Sequence, residues 1–225
     1  MKILLTGATG YIGKRLLPIL LKEGHEVICC IRDKKRFNAE KYSSPRLQVI
    51  EVNFLDSAKD ILFPGGMDAA YYLIHSMSSG ERAFEELEKR SAETFRDAAE
   101  RAKIKQVIYL SGIVNEVTLS KHLISRKNVE NVLAGGSYSL TTLRAGIIVG
   151  SGSASFEIIP DLVEKLPLMI TPRWLNTRTQ PIAIRNVIEY LVGVLLRSET
   201  YGQSYDIGGP DILTYKQMLL RLAKI

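Results

Sequence analysis

The sequence predicts a doubly wound α/β domain with a parallel sheet and a small C-terminal lobe. Short apolar runs rich in β-branched residues alternate with longer segments of helical periodicity, which is typical of βαβ units. A glycine-rich turn directly follows the first apolar run. The 225 residues, 46% hydrophobic and 24% charged, suffice for one globular domain with its own core.

The apolar runs and helical patterns give the expected order of elements. We expect strands over Lys2–Thr6, Glu26–Ile31, Leu47–Val52, Ala69–Ile74, Gln106–Leu110, Ser139–Arg144, Ile182–Ile184 and Gln203–Ile207. We expect helices over Tyr11–Glu23, Glu81–Lys103, Ser120–Leu133, Phe156–Leu166 and Arg185–Leu196, and a last helix capped by Thr214. Residues 1–150 form the predicted cofactor-binding core, and residues 151–225 the lobe on the substrate side. The last helical pattern is still amphipathic at Ile225, which favours a domain cut from a longer chain.

Charge and cysteine content narrow the class of protein. The net charge of +6 fits nucleic acid, an anionic membrane surface or a phosphorylated ligand. We expect no nucleic-acid binding, because the sequence lacks a helix-turn-helix pattern or a basic strand studded with aromatic residues. No apolar run is long enough to span a membrane. The cysteines, Cys29 and Cys30, are adjacent and indicate neither a disulfide framework nor a metal site, so we expect a cytoplasmic protein.

The glycine-rich turn predicts a dinucleotide site. Gly7 allows a tight turn, Gly10 lets the backbone approach a pyrophosphate, and Gly13 allows close packing of helix on strand. The N-terminus of the following helix offers free N–H groups to the phosphates. We therefore expect the turn to bind the cofactor through these glycines and through Thr9, Tyr11 and Ile12.

The end of the second strand bears on the choice of dinucleotide. Arg32 lies where an arginine grips the 2′-phosphate of NADP, and Lys35 adds positive charge beside it. We therefore predict NADP as the cofactor. NAD stays an alternative, because Asp33 could accept hydrogen bonds from the ribose hydroxyls.

These motifs together resemble the short-chain dehydrogenase/reductase superfamily, in its extended or atypical branch. The runs Tyr71–Met77 and Arg144–Ile159 are most similar to bacterial NAD(P)H-binding proteins of the NmrA-like and nucleoside-diphosphate-sugar epimerase-like kind. The resemblance implies a Rossmann fold, with Asn53 and Phe54 in the segment that contacts adenine. The other matching segments are Thr6–Gly13, Leu143–Gly146, Gln180–Ile182 and Tyr205–Gly209.

The catalytic pattern of the superfamily is only partly present. Ser111 matches the serine that follows the fifth strand, but no Tyr-x-x-x-Lys occurs anywhere in the chain. Aligning the helix on its later positions puts His122 at the tyrosine and Arg126 at the lysine, four residues apart on one helix face. Arg126 can bind ribose hydroxyls but cannot give up a proton, whereas His122 titrates near neutrality. His122 is either a proton donor or a helix residue without a chemical role.

A second histidine lies at the end of the fourth predicted strand. We expect the backbone of Leu73, Ile74 and His75 beside the nicotinamide ribose, and the His75 ring near the substrate crevice. The alternative is that His75 only ends a buried strand. Gly150–Ser155 is either an anion-binding lid or a plain linker. Three arginines in the C-terminal third could face an acidic or phosphorylated substrate, although we expect two of them to be solvated: Arg173, Arg178 and Arg185.

Two functions stay open at this point. The first is an NADP-linked oxidoreductase or epimerase-like enzyme acting on a small-molecule carbonyl or alcohol, through Ser111, His122 and Arg126. The second is a non-catalytic NAD(P)H-binding sensor or assembly module, which the missing Tyr-Lys pair favours. Residues 1–60 hold 11 Lys/Arg against 7 Asp/Glu, so much of the basic surplus lies in the cofactor half. By analogy with the superfamily, the Glu81–Lys103 helix is a plausible homodimer face.

Overall fold

The computed structural model describes residues 1–75, 81–113, 121–152 and 173–222. Within these ranges the strands are β1 Lys2–Thr6, β2 Glu26–Ile31, β3 Leu47–Glu51, β4 Ala69–Tyr72, β5 Gln106–Gly112, β6 Ser139–Ala145, β7 Ile148–Val149, β8 Arg178–Thr179, β9 Ile182–Ala183, β10 Ser204–Ile207 and β11 Leu213–Thr214. The α-helices are α1 Gly13–Lys22, α2 Glu81–Arg101, α3 Lys121–Ala134, α4 Ile184–Gly193 and α5 Tyr215–Leu222.

Seven of these strands form one parallel sheet in the order β10-β6-β5-β4-β1-β2-β3. This is the Rossmann order, and it confirms the predicted fold class. The strand order reverses between β1 and β4, because the chain runs outward from β1 to β3 and then returns to the other side of β1. Ligands of such sheets bind at this switch point, beyond the carboxyl ends of the strands.

Alternate residues of the central strands enter two separate cores. On one face Leu5 and Tyr71 pack with Leu16 of α1 and Leu191 of α4. On the other face Tyr72 and Tyr109 pack with residues of α2 and α3, which include Ala92, Phe95, Val129 and Leu133. The near-continuous apolar strands of the sequence follow from this, since a parallel sheet covered by helices is buried on both faces.

The residues after 150 contribute to the central sheet as well as to smaller structures. β10 pairs with β6, and α4 packs into the first core through Val187, Ile188 and Leu191. The two-stranded pairs β7–β9 and β8–β11 lie outside that sheet. Thr214 caps α5 as predicted, because its hydroxyl accepts the Gln217 N–H at 3.1 Å. The predicted helix Phe156–Leu166 falls outside the described residues, and the boundary at residue 150 stays a prediction.

Several predicted boundaries were wrong by one to three residues, for reasons seen in the hydrogen bonds. β4 ends at Tyr72 rather than Ile74, because the Leu73 N–H is taken by the Thr6 hydroxyl. α1 begins at Gly13 rather than Tyr11, since the Gly10 N–H closes a turn on the Gly7 carbonyl. α4 ends at Gly193 rather than Leu196, whose backbone has φ +51.

A buried glutamine ties the amino end of β5 to the chain that follows α4. The Gln106 amide donates to Thr141 Oγ1 at 2.8 Å and to the Val194 carbonyl at 3.0 Å. Its carbonyl oxygen accepts the Leu196 N–H at 2.6 Å. Gln106 and Thr141 are fully buried, so these bonds are needed to satisfy their polar atoms.

Among the described residues, no helix is both long and apolar enough to cross a membrane.

Candidate functional site

The glycine turn packs so closely that only glycine fits at two of its positions. Gly7 has φ +66, and a Cβ there would lie 2.5 Å from the Leu73 carbonyl oxygen. A Cβ on Gly13 would lie 2.3 Å from the Gly7 carbonyl oxygen. Gly10 is different, because its Cβ would meet only the Gly7 carbonyl oxygen, at 3.2 Å. The exposed side of the turn at Gly10 is thus open to a ligand.

The buried Thr6 hydroxyl holds this turn against the segment that follows β4. It donates to the Tyr71 carbonyl and accepts the Leu73 N–H, both at 3.0 Å. The half-buried residues Leu73, Ile74 and His75 therefore continue from β4 beside the glycine turn. Their backbone lies just beyond the carboxyl end of β4, and its place beside a nicotinamide ribose stays a prediction.

Residues after β7 cover the start of α1. The Arg15 guanidinium lies 3.9 Å from the centre of the Tyr11 ring and also donates to the Ser151 carbonyl. A Cβ on Gly150 would come within 2.7 Å of the Tyr11 hydroxyl. That hydroxyl is buried and has no hydrogen-bond partner among the described residues. Gly150–Gly152 thus rests on the turn, while residues 153–155 of the predicted lid lie outside the described ranges.

A cluster of basic residues follows the end of β2, where the sequence placed it. Arg32, Lys34, Lys35 and Arg36 are exposed, and no ion pair of the described ranges includes any of them. Asp33 accepts the Lys35 N–H at 2.9 Å and so caps the short 3₁₀ turn that carries the lysines. One carboxylate oxygen of Asp33 is therefore engaged by the backbone.

The segment after β3 presents one predicted residue and buries the other. The Asn53 amide donates to Asp56 Oδ1 at 2.8 Å, and its carbonyl oxygen accepts the Leu55 N–H at 3.3 Å. The Phe54 ring is buried, with its centre 5.8 Å from that of Phe95. Only the backbone of Phe54 can face a nucleotide.

Two predicted catalytic residues, Ser111 and Arg126, belong to the carboxyl end of β5 and to the helix α3 that contacts it. Ser111 lies inside this strand rather than after it, because β5 stays paired with β6 as far as Gly112. Its hydroxyl is buried near the Tyr109 hydroxyl, but it forms no hydrogen bond of good geometry within the described part of the chain. Arg126 donates from Nη1 to the carbonyl of Leu110, the neighbour of Ser111, at 3.1 Å. His122 is in the first turn of α3, and its side chain is outside the described residues.

A buried carboxylate that the sequence analysis missed joins β4, α2 and α3. Glu88 Oε1 lies 2.7 Å from His75 Nδ1, and Glu88 Oε2 accepts the Ser125 hydroxyl at 2.6 Å. Burial alone would raise the pKa of Glu88, but the hydrogen bonds from His75 and Ser125 hold that pKa below its ordinary value. The available signal was a charge on an apolar stripe, since Glu88 lies four residues from both Phe84 and Ala92.

The remaining candidates are two surface arginines, one arginine outside the described side chains, and two buried thiols. Arg178 is exposed in β8, Arg185 pairs with Glu189 at 3.7 Å on the surface of α4, and the Arg173 side chain is outside the described residues. Cys29 and Cys30 are buried free thiols, and burial raises the pKa of Cys29 to about 12. No group of three His, Cys, Asp or Glu in the described residues could hold a metal ion.

Comparison with solved structures supports the fold. A nucleoside-diphosphate-sugar epimerase from Staphylococcus aureus superposes with a TM-score of 0.79 at 15% identity, over 100% of this chain and 76% of that one. UDP-glucuronic acid 4-epimerase from Bacillus cereus, solved with UDP-glucuronic acid and NAD, gives 0.75 at 21% identity, over 100% of this chain and 84% of that one.

Sequence comparison identifies the family. Ketoreductase sphI from Aspergillus fumigatus is 31% identical over 117 residues, which are 49% of this chain and 35% of that protein. The match thus spans about a third of the length of this ketoreductase. A family model described as NAD(P)H-binding matches residues 7–146, from the first glycine of the turn to the end of β6. The chain belongs to this NAD(P)H-binding family, within the fold of the short-chain dehydrogenases/reductases and sugar-nucleotide epimerases.

Proposed function

We propose that the protein is an NADP(H)-linked oxidoreductase or epimerase-like enzyme that acts on the carbonyl or alcohol of a small molecule. The observation that carries this proposal is the buried Ser111 hydroxyl at the carboxyl end of β5, which forms no hydrogen bond within the described residues. The Arg126 guanidinium donates to the carbonyl of the preceding residue, Leu110. A buried hydroxyl without a partner is costly, and a substrate oxygen would supply the missing hydrogen bond.

The residues present fit a nicotinamide dinucleotide. The open side of Gly10 and the start of α1 would hold the pyrophosphate, and Arg32 with Lys35 would hold the 2′-phosphate. Asn53 and the Phe54 backbone would face the adenine. The backbone of Leu73–His75 and the Arg126 guanidinium would face the nicotinamide ribose. When bound, the cofactor supplies or accepts a hydride.

The chain's own residues would orient and polarise the substrate. Ser111 would donate a hydrogen bond to the substrate oxygen, which favours the charge that develops there. Arg126 would orient the ribose but could not deliver a proton, because a guanidinium stays charged. The proton would come from a histidine, either His122 at the position of the missing tyrosine or His75 at the end of β4. The names of the ketoreductase and the epimerases fit this carbonyl/alcohol chemistry.

The second candidate is a non-catalytic NAD(P)H-binding sensor or assembly module. One observation favours it: the chain carries no Tyr-x-x-x-Lys, and arginine stands where the lysine would be. A homodimer through α2 and a cytoplasmic location stay predictions under either function.

The cofactor preference can be tested by titrating the protein with NADPH and with NADH. Replacing Arg32 by Ala should weaken NADPH binding by about tenfold or more, as expected for one charge-assisted hydrogen bond, and leave NADH binding unchanged. Arg197→Ala is the matched control, because Arg197 is also exposed but lies after α4. Equal weakening of both cofactors by Arg32→Ala would contradict the NADP preference.

Turnover distinguishes the two candidate functions. Wild-type protein mixed with NADPH and a panel of aldehydes, ketones and sugar nucleotides should oxidise the cofactor with at least one of them. Saturable NADPH binding without turnover on any panel member would favour the sensor. No saturable binding of either cofactor would contradict both functions.

A further inference from the structure

The buried Glu88 carboxylate of α2 is held on both oxygens, by the segment after β4 and by α3. His75 Nδ1 lies 2.7 Å from one oxygen, and the Ser125 hydroxyl donates to the other at 2.6 Å. The Glu88 side chain is only 4% exposed, whereas the His75 side chain is 27% exposed. The pair therefore has a buried anchor, Glu88, and a partly open histidine.

His75 follows the end of β4, at the same edge of the sheet as Ser111. β4 and β5 are parallel neighbours, with Tyr72 opposite Tyr109. His75 comes three residues after Tyr72 and Ser111 two residues after Tyr109, so both emerge at the carboxyl ends of adjacent strands. Ser125, which holds Glu88, directly precedes Arg126 on α3.

The chemistry of the pair fixes which ring nitrogen exchanges protons. A carboxylate has no proton to give, so Nδ1 of His75 must carry the hydrogen in the 2.7 Å contact. Nε2 is then the nitrogen at which the ring gains or loses a proton. A buried carboxylate is costly unless it is paired, and its place on the apolar stripe of α2 would otherwise suit an alanine or leucine.

We propose that Glu88, held by Ser125, is a positioning residue that makes His75 the proton-transfer group of the crevice, in place of the missing tyrosine. This inference rests on the proposed oxidoreductase function. In the reducing direction the carbonyl carbon would receive a hydride from NADPH, so a C–H bond of the nicotinamide breaks, NADPH is oxidised to NADP⁺, and the carbonyl π bond breaks as the substrate is reduced. The substrate oxygen takes the proton from Nε2, so an O–H bond forms as the N–H bond breaks. His75 is left neutral, with Nδ1–H still donated to Glu88, and the oxidation of an alcohol reverses each change.

The first experiment reads the histidine directly, without cofactor or substrate. In ¹⁵N spectra of the full chain with labelled histidine, the neutral His75 ring should carry its proton on Nδ1. Glu88→Gln keeps the size of the side chain but can also donate to Nδ1, so it should shift the population toward the Nε2–H tautomer. Glu100→Gln on the same helix is the matched control, because Glu100 accepts the Ser137 N–H at 2.8 Å far from His75. A wild-type Nε2–H tautomer, or no change in Glu88→Gln, overturns the proposal.

The second experiment measures turnover on a carbonyl that wild type reduces. Glu88→Gln should lower kcat by about tenfold or more with KM and NADPH affinity unchanged, and Glu100→Gln should leave all three unchanged. If Glu88→Gln does not fold, Ser125→Ala replaces it and should lower kcat less, since the contact of Glu88 with His75 remains. An unchanged kcat overturns the role of Glu88 and leaves the oxidoreductase function standing. If wild type reduces no carbonyl, the proposed function fails, and the tautomer experiment alone tests whether Glu88 positions the His75 ring.

Discussion

Replacing Gly10 by Ala separates binding at the glycine turn from the stability of the fold. The new methyl carbon would lie 3.2 Å from the Gly7 carbonyl oxygen and meet nothing else within 4 Å. A shift of a few tenths of an ångström relieves this contact, so the free energy of unfolding should fall by less than about 1 kcal/mol. On its open side, the methyl group would stand where the backbone approaches the pyrophosphate.

The expected loss of affinity follows from the hydrogen bonds at stake. Separation of the pyrophosphate from the turn weakens one charge-assisted hydrogen bond, which contributes about 1.5–3 kcal/mol. NADPH should therefore bind about ten- to a hundredfold more weakly to Gly10→Ala. Titration by NADPH fluorescence measures the affinity, and thermal unfolding of the same samples measures the stability.

Two further glycines calibrate this result. A Cβ on Gly13 would lie 2.3 Å from a backbone oxygen, so Gly13→Ala should lose both stability and NADPH affinity. A Cβ on Gly193, at the end of α4, meets nothing within 4 Å, so Gly193→Ala should lose neither. Wild-type affinity in a folded Gly10→Ala variant would refute the placement of the pyrophosphate over Gly10.

Two other predictions concern stability. Thr6→Val removes both hydrogen bonds of a buried hydroxyl and should cost about 1–3 kcal/mol in urea unfolding. Thr142→Val should cost little, because the buried Thr142 hydroxyl has no partner among the described residues, and a larger loss there would contradict the reasoning. Hydrogen bonds from Lys105 and the Lys2 N–H lower the pKa of Asp68, so Asp68→Asn should cost about 0.5–1 kcal/mol at pH 7. This contribution to stability is fully present above the pKa of Asp68 in the unfolded chain, about 4, and is lost as the pH falls through the lower pKa of the folded protein. A difference in unfolding free energy between wild type and Asp68→Asn that does not change with pH would exclude the charge as its cause.

The sequence predicted the central sheet well because its strands are buried on both faces. Both ends of the strand Glu26–Ile31 were predicted correctly, since a short, nearly continuous apolar run is typical of a strand buried on both faces. The positions of the glycine turn and of Arg32 followed from these strands, because the turn begins where β1 ends and Arg32 directly follows β2.

The contacts that complete the site were not predictable from periodicity. A helical pattern shows which face is buried but not which residue it meets, so the contacts of Glu88 with His75 and Ser125 could not be read. Of the two-residue strands, β9 was expected within Ile182–Ile184, whereas β7, β8 and β11 are too short for any pattern. The contact of Arg15 with Ser151 joins residues 136 positions apart, which no local motif reports.

The bonds of Gln106 have a consequence for how this protein can diversify. They fasten the amino edge of the sheet to the residues after α4, on the opposite side from the strand ends that bear the glycine turn, His75 and Ser111. Substitutions in the loops that follow the carboxyl ends of the strands therefore leave the hydrogen bonds of Gln106 intact. The loops at the carboxyl edge can therefore change in sequence without loss of the hydrogen bonds that tie β5 and β6 to the residues after α4.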